Sequence, residues 1–383
     1  MTTYLSLAMQ AMLLGALTFG VVLIPLIVVQ ARRFGGLSLT RMAAFGMVAV
    51  YAFALLAYTM LPIPDGYGEA WCARYDVRVQ PEPFVFVHDL AAAYAAGGAG
   101  GLASSFALRQ LLLNVVLFVP LGVFGRRLLE WPAAVTILAG IGVSALIELT
   151  QGTAAFGLLP CRWRIADADD LIANTVGAAI GVAIAPLVLS WVSRARALEG
   201  RRLDPRPVTR ARRWLGAVVD AALFAVVFAA VELGARALDA IADTPSFLPE
   251  TGVGVARWLL PALLVFVVPA LSHLGASAGQ RLLWLVPRWT DGAGTPMRRL
   301  ALALLGPALP ALAMAAAQLP GLGALGYTAP VWLLGLLVAG LLSRDGLAAA
   351  LTGARYADSR TAPVLADRPE HHSESRDGAA RPH

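Results

Sequence analysis

R-I-A-D-A-D-D-L-I-A-N-T-V-G-A-A-I-G, from Arg164 to Gly181, decides how this chain is read. It opens on charge at Arg164, Asp167, Asp169 and Asp170, then turns apolar without a break. At helical spacing Arg164, Asp167, Asp170 and Asn174 fall on one face. Gly177 and Gly181 continue that face with the small-xxx-small pattern that lets membrane helices approach closely. Ionisable groups at one end and a close-packing seam below predict the wall of a polar site at a membrane surface.

Composition points the same way. The chain is 58% hydrophobic and 14% charged, with mean hydropathy +0.70, well above what a soluble domain carries. It contains no lysine, so all 30 basic residues are arginine. Those arginines sit in short loops between apolar spans, which reads as a topology signal and not as a nucleic-acid surface.

Leu5 to Val29 is apolar and long enough to cross ~30 Å of hydrocarbon. Arg32 and Arg33 follow it and no basic residue precedes it, the reverse of a cleavable leader, so it reads as an uncleaved first helix. Further spans are expected at Ala43–Leu61, Leu108–Phe124, Pro132–Gln151, Asp169–Trp191, Trp214–Leu238, Val255–Leu274, Leu300–Leu319 and Pro330–Leu342. Pro120 predicts a kink in the third. Phe84 to Ala96 reads as a short interfacial helix, and Asp358 to His383, with His371 and His372, as a disordered polar tail. Arginine excess follows alternate spans, so the positive-inside rule predicts nine helices, N-terminus outside and C-terminus inside. The fold class is therefore an all-α, polytopic membrane bundle.

That topology gathers Asn114, Glu148, Gln151, Arg164, Asp167, Asp170 and Asn174 on the extracytoplasmic side. A carboxylate at mid-membrane costs about 2.5–3.5 kcal/mol on insertion scales, so Glu148 needs a partner or a wet cavity. Arg164 is the expected partner, in ion-pair reach of Glu148 or Asp167. Cys72 and Cys161, the chain's two cysteines, fall in outer loops where an oxidising exterior permits a disulfide; two unpaired thiols are the alternative. No nucleophile–base pair, Walker loop, H-E-x-x-H or paired C-x-x-C is present, His88 and His273 fall on opposite sides, and neither metal nor cofactor is expected.

The run R-x-x-D-x-D-D-L-x-x-N-T-x-G resembles the signature of the VanZ-like membrane proteins. N-V-V-L-F-V-P-L-G at Asn114–Gly122, I-E-L-T-Q at Ile147–Gln151 and, more weakly, T-M-L-P at Thr59–Pro62 extend the likeness in order. The resemblance implies a bacterial plasma-membrane protein of the cell envelope, of a class associated with glycopeptide (teicoplanin) resistance. R-R-W-L-G-A-V-V-D at Arg212–Asp220, G-Q-R-L-L-W-L at Gly279–Leu285 and G-L-A-A-A-L-T-G-A-R at Gly346–Arg355 resemble the RDD family, implicating Arg213, Asp220 and Arg281. Gln280 stands where that family has lysine and Ala349 where it has aspartate. Arg213 and Asp220 share a helix face and are expected to pair.

The expected organisation is a VanZ-like module over residues 1–193, a basic cytoplasmic linker over 194–213, an RDD-like module over 214–356 and a tail over 357–383. Expected partners are membrane lipids, with a lipid-linked cell-wall precursor or a glycopeptide as candidate ligand, and no nucleic acid. Recognition of such a ligand stands beside three alternatives: an enzyme on an envelope lipid, a transporter using the RDD-like charges, and an ion-pair network that only locks helices together.

Overall fold

The computed structural model describes residues 2–61, 63–64, 66–75, 77–242, 249–343 and 345–361. His371 and His372 lie outside the described residues. The helices are α1 (Thr2–Phe34), α2 (Leu39–Met60), α3 (Glu69–Cys72), α4 (Val85–Ser104), α5 (Phe106–Val123), α6 (Ala133–Gly152), α7 (Ala154–Gly157), α8 (Ala168–Val188) and α9 (Ala195–Glu199). They continue with α10 (Arg210–Ala242), α11 (Glu250–Pro261), α12 (Val268–Leu271), α13 (Ala278–Leu282), α14 (Pro296–Ala303), α15 (Leu309–Ala316), α16 (Thr328–Leu342) and α17 (Leu347–Thr352). Among the described residues nine helices are long and apolar enough to cross a membrane. The protein is thus an all-α polytopic membrane protein.

Two compact units divide the chain: Met1–Gln30 with Leu37–Gly200, and Ala31–Gly36 with Arg201–His383. In the first, α8 lies against α5 backbone to backbone. A Cβ at Gly177 would fall on the Val115 carbonyl, one at Gly181 on that of Val119, and one at Gly122 on that of Ala178. Only glycine permits such an approach, and the gain is dispersion and backbone contact in place of a hydrophobic force that lipid does not supply. Leu55, Phe118 and Ile147 form a small apolar core beside this seam. At the far end of α8, buried Arg41 donates to the carbonyls of Leu128 (2.8 Å) and Ser193 (3.0 Å).

Proline leaves a particular mark. Pro120 sits within α5, and a π-helical turn follows at Phe124–Leu128; similar turns occupy Ala262–Val267 after Pro261 and Leu304–Ala308 around Pro307. Each lies where a proline removes a backbone donor nearby; the helix runs on through the kink expected at Pro120, whereas Leu304–Ala308 breaks at Gly306, whose φ/ψ leave the helical region. α4 is longer than the interfacial helix expected from sequence, but it breaks at Gly97 and Gly98, where φ/ψ leave the helical region. α7 is a left-handed turn, with φ of 53–59° at Ala154, Ala155 and Phe156 and 80° at Gly157. Left-handed geometry costs about 1–2 kcal/mol per non-glycine residue.

Among the described residues the second unit holds a two-stranded sheet. Leu285–Arg288 (β1) pairs antiparallel with Arg355–Asp358 (β2). Asp358 was expected to open a disordered tail; it is a buried strand residue instead. It accepts from Arg360 Nη2 (2.6 Å), Arg212 Nη1 (2.9 Å) and the Arg206 backbone N–H (3.1 Å). Arg206 and Arg212, read as part of a solvated linker, are structural in this unit. Trp284 stands beside them, with Arg32, Arg360 and Arg202 guanidinium carbons 4.4, 5.0 and 5.9 Å from its ring centroid.

Candidate functional site

The polar site lies where α5, α6 and α8 end together with the loop before α8. Three carboxylates, Asp167, Asp169 and Glu148, set it up through backbone chemistry. Asp167 is the N-cap of α8, accepting from the Asp169 N–H at 2.8 Å, and its own N–H donates to Glu148 Oε2 at 2.8 Å. Glu148 thus supplies from α6 the return half of a capping box. Asp169 does the same service for α4, accepting the N–H groups of Phe84 (2.5 Å) and Phe86 (2.9 Å). Free amide donors and the positive end of the helix dipole favour carboxylates at both places. A bridge between Gln80 and Asp167 fastens the loop before α4 to this point, through Gln80 N–H to Ala166 O and Ala168 N–H to Gln80 O.

Asp170 differs. Its partners are side chains only, Asn114 Nδ2 in a short contact and Gln110 Nε2 at 3.5 Å, both on α5. One turn further, Asn174 is 3% exposed and donates to Ser144 Oγ at 2.9 Å. Its Oδ1 is buried without a partner among the described residues. Glu148, Asp167 and Asp170 lie close enough to feel one another's charge. Burial holds the Asp167 carboxyl above its ordinary value; the Asp169 N–H works against this, while the charges of Asp169 and Asp89 add to it.

Arg164 is not where the helical spacing put it. α8 starts at Ala168, so Arg164 is in the preceding loop, off the shared face. It lies outside ion-pair distance of Glu148 and Asp167 and donates to the carbonyls of Tyr58 (2.6 Å), Thr59 (2.7 Å) and Leu61 (3.4 Å). Gln151 donates to Thr59 O at 2.8 Å and Trp163 to Met60 O at 3.1 Å. Together they satisfy the carbonyls left open at the C-terminus of α2, where partial negative charge attracts a cation. The carboxylates therefore have no direct cationic partner among the described residues.

Cys72 and Cys161 form a disulfide with Cα atoms 5.8 Å apart, tying α3 to the loop before α8. In the second unit, Arg213 and Asp220 do not pair. Asp220 accepts from Ser277 Oγ and the Gly279 N–H, both at 2.6 Å, capping α13. Arg213 places its guanidinium 5.4 Å from the Tyr356 ring centroid, so their shared face did not bring them together. Arg281 donates to Ala276 O (3.0 Å), to Pro269 O and to Ser272 Oγ, closing the end of α12. Gln110, Ser144 and Asp169 were not among the expected site residues. Gln110 precedes Asn114 by one turn on the same face, so helical spacing alone would have found it.

Fold and site define a multi-pass helical membrane protein with a carboxylate-rich polar site at one end of its first five spans. Residues 48–189, from within α2 to just past α8, match the family model described as VanZ/LLP1. That match contains every residue of the polar site and both cysteines, and bears on the first unit alone. No curated protein and no solved structure matches the chain.

Proposed function

We propose that the protein is a cell-envelope component of a bacterial plasma membrane that recognises an extracytoplasmic ligand at the polar site. The ligand would be a lipid-linked cell-wall precursor or a glycopeptide, and the outcome a contribution to glycopeptide resistance, teicoplanin included. The observation that carries this is the gathering of Glu148, Asp167, Asp169 and Asp170 at the mouth of three spans, with Arg164 drawn away to the end of α2. Of these, Asp170 accepts only from neutral side-chain amides, and a carboxylate without a direct ion pair near a membrane is costly, which favours a ligand-facing role. The disulfide supports an outward orientation, since such bonds persist in oxidising compartments, and the arginine-rich loops support it independently.

For the second unit the RDD likeness is a proposal resting on sequence words alone. A transport path along Asp220 and Glu232 is less favoured, because both are engaged: Asp220 by Ser277 and Gly279, Glu232 by Arg236 at 2.8 Å and Arg257 at 3.7 Å. The test is glycopeptide susceptibility of a strain lacking the protein, complemented with wild type or Asp170→Asn at matched membrane levels. Restoration by the wild type and failure by the variant is expected. Equal restoration by both would remove the polar site from the function.

A further inference from the structure

Beside the disulfide, apart from the carboxylates, a cavity of about 500 Å³ opens on the first unit. That volume lies in the range of small-ligand sites, roughly 300–1,000 Å³. Its wall is made by the Cys72–Cys161 bridge, Tyr75, Gly152, Ala154 and Arg162.

Two sides of this wall are chemically distinct. On one, Tyr75 is 55% exposed and packs against Trp71 with ring centroids 4.8 Å apart and planes tilted by 30°, and Trp71 lies 5.5 Å from Tyr67. This three-ring platform is fixed twice to the loop opposite: through the disulfide, and through Tyr67 Oη donating to Cys161 O at 2.5 Å. The other is Arg162, which lines the same cavity and whose guanidinium has no hydrogen-bond or ion-pair partner among the described residues. Several other guanidinium groups of the first and second units are taken up by carbonyls, as in Arg41, Arg164, Arg281 and Arg299, whereas Arg162 lines an open cavity. Gly152, Thr153 and Ala154 also line the cavity, and Ala154 opens the left-handed turn Ala154–Gly157, held by Phe156 N–H to Thr153 Oγ1 at 3.0 Å and Gly157 N–H to Thr153 O at 2.9 Å. Left-handed residues in succession persist only where surroundings over-determine them, and they concentrate at ligand clamps.

A flat aromatic face suits the apolar face of a ring. A free guanidinium suits carboxylate or phosphate, which it meets through paired N–H donors. We propose that this cavity binds a sugar ring bearing an acidic group, with the ring on Tyr75 and the acid on Arg162. The inference deepens the envelope reading and rests on it for the compartment, because sugars of this kind must reach the cavity from outside. The disulfide makes the site dependent on oxidation: reduction frees the aromatic platform from one of its two ties to Cys161.

The test uses the full-length, oxidised protein in detergent or nanodiscs. Binding of N-acetylmuramic acid, N-acetylglucosamine 1-phosphate and neutral N-acetylglucosamine is read by saturation-transfer NMR and tryptophan quenching. At least one acidic sugar should bind about 10-fold or more tightly than the neutral one, a factor worth about 1.4 kcal/mol. Whichever acid binds better names the group. Arg162→Gln should abolish that preference, Arg162→Lys should keep part of it, and Tyr75→Ala should weaken every sugar. Reduction should weaken binding as well. Equal binding of acidic and neutral sugars, no binding by wild type, or an unaltered preference in Arg162→Gln with the disulfide intact would each overturn the proposal. The Asp170→Asn susceptibility result stands apart from all of these, so either idea can fail alone.

Discussion

Asp358→Asn should destabilise the second unit strongly, and in a pH-dependent way. The carboxylate is 2% exposed and its Arg360 partner 4%. It accepts from Arg360 Nε (2.8 Å), Nη2 (2.6 Å) and backbone N–H (2.9 Å), from Arg212 Nη1 (2.9 Å) and from the Arg206 N–H (3.1 Å). Burial alone would raise this carboxyl, but the Arg360 side chain and N–H, the Arg206 N–H and the Arg212 charge together hold it well below the usual carboxylate range. Breaking a buried pair by removing one charge costs about 3–5 kcal/mol. Asparagine keeps one acceptor oxygen and similar volume, so the lower end, about 3 kcal/mol, is expected. At about 2–4 °C per kcal/mol for a unit of this size, the melting midpoint should fall by roughly 6–12 °C. Because the folded carboxyl is depressed, its stabilisation is complete above the unfolded value of about 3.9 and is lost as pH falls below it. Wild type and variant should therefore differ by a constant amount through neutral pH and converge under stronger acid. Tryptophan fluorescence can follow unfolding, since the Arg32 and Arg360 guanidinium groups lie 4.4 and 5.0 Å from the Trp284 ring centroid. A variant melting within about 2 °C of wild type at pH 7 would refute the burial and bonding described.

Three further outcomes follow from the first unit. Arg164→Gln should leave carbonyls at the end of α2 under-satisfied and cost about 1–3 kcal/mol by thermal unfolding; an unchanged midpoint would mean water caps that end equally well. Gly177→Val should push α5 from α8 by driving a side chain into the Val115 carbonyl, lowering folded yield and stability by about 1–3 kcal/mol or more, whereas Gly142→Ala, with nothing within 4 Å of the added carbon, should be silent. Asp167→Asn should keep the α8 cap, since asparagine caps as well as aspartate. Asp167 is raised by burial, and by the charges of Asp169 and Asp89 over the opposing Asp169 N–H. Wild-type stability should thus rise as pH drops through the raised value, and the variant should lose that component. A pH profile identical in both proteins would count against a strained Asp167.

What was legible in the sequence is what depends on nearest neighbours and on one helix at a time. Apolar run length found the spans, and Gly177 and Gly181 announced the seam, because a four-residue step on one helix fixes which backbone is bare. The D-A-D-D run before an apolar stretch also reads as a helix start. Projecting helical spacing back through that start placed Arg164 on a face it does not share. Asp358 was hidden for a different reason: Arg206 and Arg212 meet it from far away in sequence, and a polar stretch ending in mixed charge carries no periodicity. The strand pair that buries Asp358 is likewise a long-range pairing, invisible until both segments are seen together. Pro120 predicted a disturbance in α5, but not that a widened turn at Phe124–Leu128 would absorb it.

The carboxylates of the polar site do not carry equal functional weight, and their partners say why. Asp167 and Asp169 accept backbone N–H groups at helix starts, and Glu148 accepts the N–H of Asp167. Each would be kept by a chain that needed only to close α4 and α8, so loss of function on removing any of them confounds folding with recognition. Asp170 closes no helix end. It meets Asn114 and Gln110, whose amides can bond asparagine as readily as aspartate by exchanging donor and acceptor. The charge at position 170 is therefore surplus to the fold as the hydrogen bonds define it, and it sits one turn above the unpartnered Oδ1 of Asn174. A negative group retained beside hydrocarbon, with neutral partners that would tolerate its neutral isostere, is where a requirement for charge separates from a requirement for structure.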